Sequence, residues 1–275
     1  MSLALDDIKN FIKVSETKNI TRASESLGLT QPALSYSIKR LENELGQELI
    51  VRLKNGVVLT KFGQAFLSKA RKLIILWEES QKILTNKGEE TKGEFSIGAH
   101  PSVALYSLSK ILPKIYENFP RLDFKFEHAL SREITEKVIS WEVDFGIVIN
   151  PIAHPDLVIH EITNDKVTLF STGAKDGRLI YDPKLSQSTH IIGKLPPNLR
   201  ENYIHSENLE VVAQLASKGL GVGLLPGKVA ANFPKLKAIK DAPYFVDRLC
   251  LVYRNEKHQN IVSKSIIKLI KESFI

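Results

Sequence analysis

Between residues 30 and 54 the stretch TQPALSYSIKRLENELGQELIVRLK gathers side chains suited to reading a polyanion. Gln31, Ser35, Tyr36 and Asn43 donate or accept hydrogen bonds, while Lys39, Arg40, Arg52 and Lys54 carry positive charge. This is the chemistry of groove recognition, in which contacts to base edges select sequence and cations on phosphates set register. Spacing decides which of these side chains share a surface. At roughly 100° per residue, Leu34, Ile38, Leu41 and Leu45 form one apolar stripe of a helix. The opposite face carries Pro32, Tyr36, Lys39, Asn43 and Arg40, with Gln31 and Ser35 at its flanks. A helical bundle with a merely polar outer face has the same pattern, so periodicity alone leaves both readings open.

The neighbouring elements must hold that helix in place. Leu5, Ile8, Phe11 and Ile12 predict a first amphipathic helix, and Ala23 and Leu27 a short second one that stops at Gly28. Thr30 is placed to cap the third, Pro32 sits in its first turn where a missing N–H costs nothing, and Gly46 ends it. Helices this short need mutual packing, and three of them close a small core of helix-turn-helix type. LIVRLKNGVVLTKFG then reads as strand, turn at Asn55-Gly56 and strand, a hairpin that sets Arg52 and Lys54 beside the third helix as a wing. Between Glu48 and Glu78 there is no acid, while Arg52, Lys54, Lys61, Lys69, Arg71 and Lys72 all fall there. A long helix follows, with Phe62, Phe66, Ala70, Leu73, Trp77 and Leu84 recurring at three- and four-residue steps. Its stripe packs either on its own domain or on a partner helix.

NKGEETKGE, residues 86 to 94, is a polar stretch suited to a hinge. Beyond it strands alternate with helices, the pattern of a parallel α/β sheet. Seven histidines, at 100, 128, 154, 160, 190, 205 and 258, are scattered there without metal-ligand spacing. No nucleophile elbow or phosphate loop is present. In KGLGVGLLPG a helical segment precedes the glycines and an apolar one follows, the reverse of a dinucleotide fingerprint, so Gly219 and Gly221 end a helix and enter a strand. These observations predict no catalytic residue, metal or cofactor. Net charge is +7, but residues 1 to 90 hold 14 Lys/Arg against 11 Asp/Glu and the remainder 24 against 20, so neither half is the basic one. No apolar run reaches the roughly 20 residues of a membrane span. Asp6 and Asp7 argue against a secretory signal, and the lone Cys250 excludes an internal disulfide, which together predict a cytoplasmic protein.

ITRASESLGLTQPALSYSIKRLENELGQELIVR followed by LTKFG resembles the winged helix-turn-helix of the LysR-type transcriptional regulators over residues 3 to 63. Tyr36 departs from the basic residue usual after QPALS, and Leu49-Ile50 replaces the usual LF. The resemblance implies a DNA-binding domain at 1–63, a linker and dimerisation helix at 64–88, and an effector domain at 89–275. Thr30, Gln31, Pro32, Ser35, Tyr36, Lys39, Arg40, Arg52 and Lys54 would meet double-stranded DNA. Phe62, Phe66, Leu73 and Trp77 would pair the linker helix with that of a second subunit, giving a dimer or tetramer on an inverted-repeat operator with half-sites about 34 Å apart.

GEFSIGAHPSVALYSLSKILPKIYENFP, SREITEKVISWEVDFGIVI, HSEN with its helix, glycine pair and LLP, and RLCLVYRNEKHQNIVSKSIIKLIKESF resemble successive elements of that family's effector domain. They imply an α + α/β protein whose effector domain holds two subdomains of periplasmic-binding-protein type, 93–164 plus 244–275 and 165–243. Two crossover strands would join them around a small-molecule effector. The interval from FSTGAKDG to RLIYDP is shorter than usual and implies that part of a crossover helix is missing. A cleft of this type accepts a small anion where helix N-termini converge. Ser102, Ser131 and Ser206 stand at three such starts, with His100, Pro101, Asn150, His205 and Gly223 beside them. Each serine is also read as a simple N-cap. Three readings remain: an effector-responsive DNA-binding regulator, a solute-binding or transport protein, and an enzyme with an appended DNA-binding domain. A regulator whose cleft binds nothing is a variant of the first.

Overall fold

The computed structural model describes residues 4–53, 56–85, 93–173, 178–199, 201–259 and 261–274; side chains 78–85, 198, 258 and 259 lie outside that description. The chain forms two compact units, Met1–Glu89 and Glu90–Ile275. Lys54, Asn55 and Leu84, most of the 86–94 stretch and residues 174–177 are thus beyond structural comment, as is the side chain of His258.

In the first unit, α1 (Leu5–Thr17), α2 (Ile20–Leu27) and α3 (Gln31–Leu45) close around Ile8, Phe11, Ala23, Leu34, Ile38 and Leu41. The Asn19 side chain accepts the Arg22 N–H and starts α2, and Gly28 ends it at φ 67°. Thr30 accepts the Ala33 N–H at 3.3 Å and starts α3, with Pro32 in its first turn and Gly46 at φ 66° beyond its end. β1 (Ile50–Leu53) pairs antiparallel with β2 (Gly56–Leu59), and α4 runs Lys61–Thr85. Glu42 anchors the hairpin to α3 by accepting the N–H groups of Leu49 at 2.8 Å and Ile50 at 3.2 Å. The LT-x-x-G spacing has a steric basis. Thr60 accepts the Gly63 N–H at 2.9 Å, and a Cβ on Gly63 would lie 2.0 Å from the Leu49 carbonyl oxygen.

The second unit is built on a nine-stranded sheet of β3 (Gly93–Ala99), β4 (Leu122–His128), β5 (Phe145–Ile149), β6 (Leu157–Ser171), β7 (Leu179–Tyr181), β8 (Tyr203–His205), β9 (Val222–Pro226), β10 (Lys237–Ala238) and β11 (Phe245–Arg254). Its main order is β4-β3-β5-β11-β6-β9-β7-β8, with β10 on β6. The helices are α5 (Pro101–Asn118), α6 (Ser131–Ile139), α7 (Ser186–Ile192), α8 (Leu209–Ser217), α9 (Gly227–Ala230) and α10 (Ile261–Glu272). The parallel strands read from alternation form the two flanks of the sheet. Each flank is parallel, but β11 runs antiparallel to both β5 and β6, and β6 antiparallel to β9. The physical reason is that β6 carries the chain out of one lobe and β11 carries it back. One lobe packs around Ile97, Ile111, Phe145 and Ile266, the other around Ile180, Val212, Leu225 and Val229. β6 ends at Ser171 and β7 begins at Leu179, too few residues apart for a crossover helix. Gly219 at φ 80° and Gly221 at φ 159° carry the chain from α8 into β9, and Cys250 is buried in β11.

Candidate functional site

The outward face of α3 presents Gln31, Pro32, Tyr36, Lys39 and Asn43 to solvent, with Tyr36 68% exposed. Arg52 is exposed on β1, opposite Val57. Two residues assigned to this face differ from expectation. The Ser35 hydroxyl is buried without a hydrogen-bond partner, so this side chain lies against the protein at the helix flank. Arg40 turns toward α1, where its Nε and Nη2 donate to Asp7 at 2.6 Å each. Asp7 is 1% exposed and also accepts from the Ser37 hydroxyl at 2.7 Å, which itself accepts from Asn10 at 2.8 Å. Burial opposes ionisation of Asp7, but the hydrogen bonds from Arg40 and Ser37 and the charge of Arg40 outweigh it and hold the carboxyl below its ordinary range. Arg40 therefore fixes the angle of α3 on α1.

The stripe of α4 divides. Phe66 packs 5.6 Å from Phe11, centroid to centroid, and Ala70 is buried, so both belong to the unit's own core. Phe62, Leu73 and Trp77, on the same stripe of the helix, are 57%, 42% and 47% exposed. Of the four residues named for an intersubunit face, Phe66 is partly covered by its own unit, while the other three stay exposed.

Between the lobes of the second unit lies a cleft of about 730 Å³. His100, Ser102, Ser131 and Asn150 line it; Pro101, His205, Ser206 and Gly223 do not. None of the three serines is a helix cap. His100 starts α5, its Nδ1 accepting the Ser102 N–H at 3.3 Å. Ser102 donates instead to Glu210 at 3.0 Å, from α5 in one lobe to α8 in the other. Leu130 precedes α6, and the Ser131 hydroxyl accepts the Ile149 N–H at 3.0 Å. Asn208 caps α8, leaving Ser206 bonded to the backbone of Asn208. His205 stacks on Tyr203 at 4.4 Å, and Gly223 is a strand residue packed on Ala216. For the serines the cause is local: the cap positions fall one or two residues away, at His100, Leu130 and Asn208.

Asn150, held at φ 48°, accepts the Arg248 N–H at 2.9 Å and donates to Asp247 at 2.7 Å. Asp247 takes a second, short hydrogen bond from Gln187 in the opposite lobe. Asp165 and Asp182 also line the cleft. Burial raises the carboxyls of Asp165 and Asp247, against the hydrogen bonds each accepts, and burial lowers His100, which stays neutral at ordinary pH. No histidine, cysteine or carboxylate cluster among the described residues has metal-binding geometry. Likewise, no described helix is long and apolar enough to cross a membrane.

Comparison with known proteins places both units. The family model described as "Bacterial regulatory helix-turn-helix protein, lysR family" matches residues 5–64, and that described as "LysR substrate binding domain" matches 88–174. The regulator BbuR of Bordetella bronchiseptica is 27% identical over 87% of this chain and 79% of its own length. The Hca operon activator HcaR of Escherichia coli is 29% identical over 82% of each. Among solved structures, a full-length OxyR variant from Pseudomonas aeruginosa superposes with TM-score 0.78 at 18% identity, covering 100% of this chain and 95% of its own. LysG of Corynebacterium glutamicum with bound effector Arg superposes with TM-score 0.71 at 14% identity, covering 98% and 97%.

Proposed function

Because the chain belongs to the LysR family of DNA-binding transcriptional regulators, we propose that α3 and the β1–β2 hairpin dock it on an inverted-repeat operator, and that a small molecule in the interlobe cleft adjusts that docking. The observation that carries the DNA reading is the exposed face of Gln31, Pro32, Tyr36 and Lys39, on a helix tied to α1 by the ion pair of exposed Arg40 with buried Asp7. Gln31 and Tyr36 reach base edges, Thr30 starts the helix that carries them, and Lys39 and Arg52 contact phosphate. Phe62, Leu73 and Trp77 pair α4 with its copy, which supplies two recognition helices for two half-sites. The protein works in the cytoplasm by binding, not by catalysis. Selection of binding sites from random DNA by the purified protein tests this reading. The expected product is a two-part motif with centres about one DNA turn apart, whose base preference changes in Gln31→Ala. A pool that shows no enrichment after repeated rounds rejects it.

A further inference from the structure

The cleft floor is acidic and short of cations. Asp165 on β6 and Asp247 on β11 are direct cross-strand partners in the antiparallel ladder, the placement in which like charges destabilise a sheet. Asp247 is 2% exposed, and its Oδ1 takes the hydrogen bonds from Gln187 and Asn150. Its Oδ2 takes none, although the residue lines the cleft. Asp182, 3% exposed, adds a third carboxylate. The positive side chains nearby make their close contacts elsewhere, although the charge of Lys228 still acts on Asp165. Arg132 pairs with Glu136 at 3.0 Å and Lys184 with Glu207 at 2.7 Å, while the Lys228 ammonium donates to the Asn164 carbonyl at 2.8 Å. Lys166 sits over the Tyr244 ring at 4.1 Å. Among the described residues, no lysine or arginine forms an ion pair with Asp165, Asp182 or Asp247.

Asp165 is half-buried and its carboxylate accepts the backbone N–H groups of Lys166 at 2.9 Å and Lys228 at 3.1 Å, whereas the buried Asp247 across from it keeps one oxygen without a hydrogen bond, a place for a proton or a cation. A carboxylate ligand would bring a further negative charge to this floor. A ligand ammonium or guanidinium would relieve the repulsion and occupy the free Asp247 oxygen. The rest of the wall suits an apolar stem, since Leu130, Ile139, Ile149, Ile152 and Leu185 line it. We infer that the cleft takes a small molecule bearing a protonated amine or guanidinium, its positive end held between Asp165 and Asp247. This rests on the effector reading above and replaces the expected anion.

The test uses full-length protein, with thermal shift and titration calorimetry near neutral pH at constant ionic strength. The probes are L-arginine, L-lysine, putrescine and tyramine, with succinate and benzoate as acids. At least one amine should raise the melting temperature, and neither acid should. Asp247→Asn and Asp165→Asn should each weaken that amine by about ten- to a hundredfold, the loss of one charge-assisted hydrogen bond. Without ligand Asp247→Asn should melt at or above wild type, because the cross-strand repulsion is gone. Stabilisation by the acids alone overturns the inference, as does retention of amine affinity in both variants. Silence from every probe also overturns it and leaves a proton shared by the pair. Site selection on DNA is measured separately, so the regulator reading survives or fails on its own result.

Discussion

Asp7 accepts three hydrogen bonds, two from Arg40 and one from Ser37, in a site 1% exposed to solvent. Its carboxyl is held below the unfolded value, so its contribution to stability is complete above about pH 4 and is lost as pH falls through the lower folded value. Asp7→Asn should therefore lower the melting temperature by several degrees near neutral pH, with the gap to wild type closing in acid; calorimetry across pH measures it. The same geometry separates the two arginines. Arg52→Ala should reduce the salt slope of DNA binding by about one unit with little change in stability, whereas Arg40→Ala should destabilise the fold and leave the slope unchanged. A lowered slope in Arg40→Ala would return that residue to the DNA face. Asp7 was legible in principle, because it lies one helical turn before Phe11 and two before Val14 on an apolar face. The Asp165–Asp247 pair was not legible, since strand register between segments so far apart in sequence is fixed only by folding.

The helices of the first unit were legible because each boundary has its own chemistry: Asn19 and Thr30 at the starts, Gly28 and Gly46 in left-handed conformations beyond the ends. Element α4 shows what periodicity omits. A repeat of three and four residues marks an apolar stripe, but it does not say how many partners share it. Phe66 packs on Phe11 of its own unit, while Leu73 and Trp77, farther along the same stripe, stay exposed. Two outcomes follow. Phe66→Ala should cost about 2 kcal/mol of stability in the first unit, less than for a fully buried ring because Phe66 is only partly covered. Leu73→Glu with Trp77→Glu should leave that stability nearly intact and yield monomers in sedimentation equilibrium. Wild-type protein that sediments as a monomer at micromolar concentration would remove the case for α4 as the dimer contact. In the second unit the flanking parallel strands were readable from alternation. The reversed strands β6 and β11 were not, because their direction depends on which lobe each one enters.

At the scale of the molecule, the two lobes of the second unit are joined covalently through β6 and β11 and bridged across the cleft by side chains. Ser102 of one lobe donates to Glu210 of the other, and Asp247 on a connecting strand takes Asn150 from one side and Gln187 from the other. Bridges of this kind exist only while the lobes are close, so they bias the cleft toward closure, and a bound molecule that gains contacts from both lobes biases it further. Ser102 is 3% exposed, and its hydroxyl does not cap α5 but reaches Glu210 in the first turn of α8. Ser102→Ala should therefore lower thermal stability by no more than about 1 kcal/mol, the usual net worth of one hydrogen bond. Its larger effect should be on binding, because the closed, binding-competent population shrinks and apparent affinity falls by the same fraction, about three- to tenfold for a shift near that energy. Glu210→Gln keeps the shape and an acceptor for Ser102, and should retain most of the affinity that Ser102→Ala loses. Calorimetric titration of both variants, with any compound that stabilises wild type, separates the outcomes. Equal affinities in wild type and Ser102→Ala would show that this bridge follows closure without favouring it.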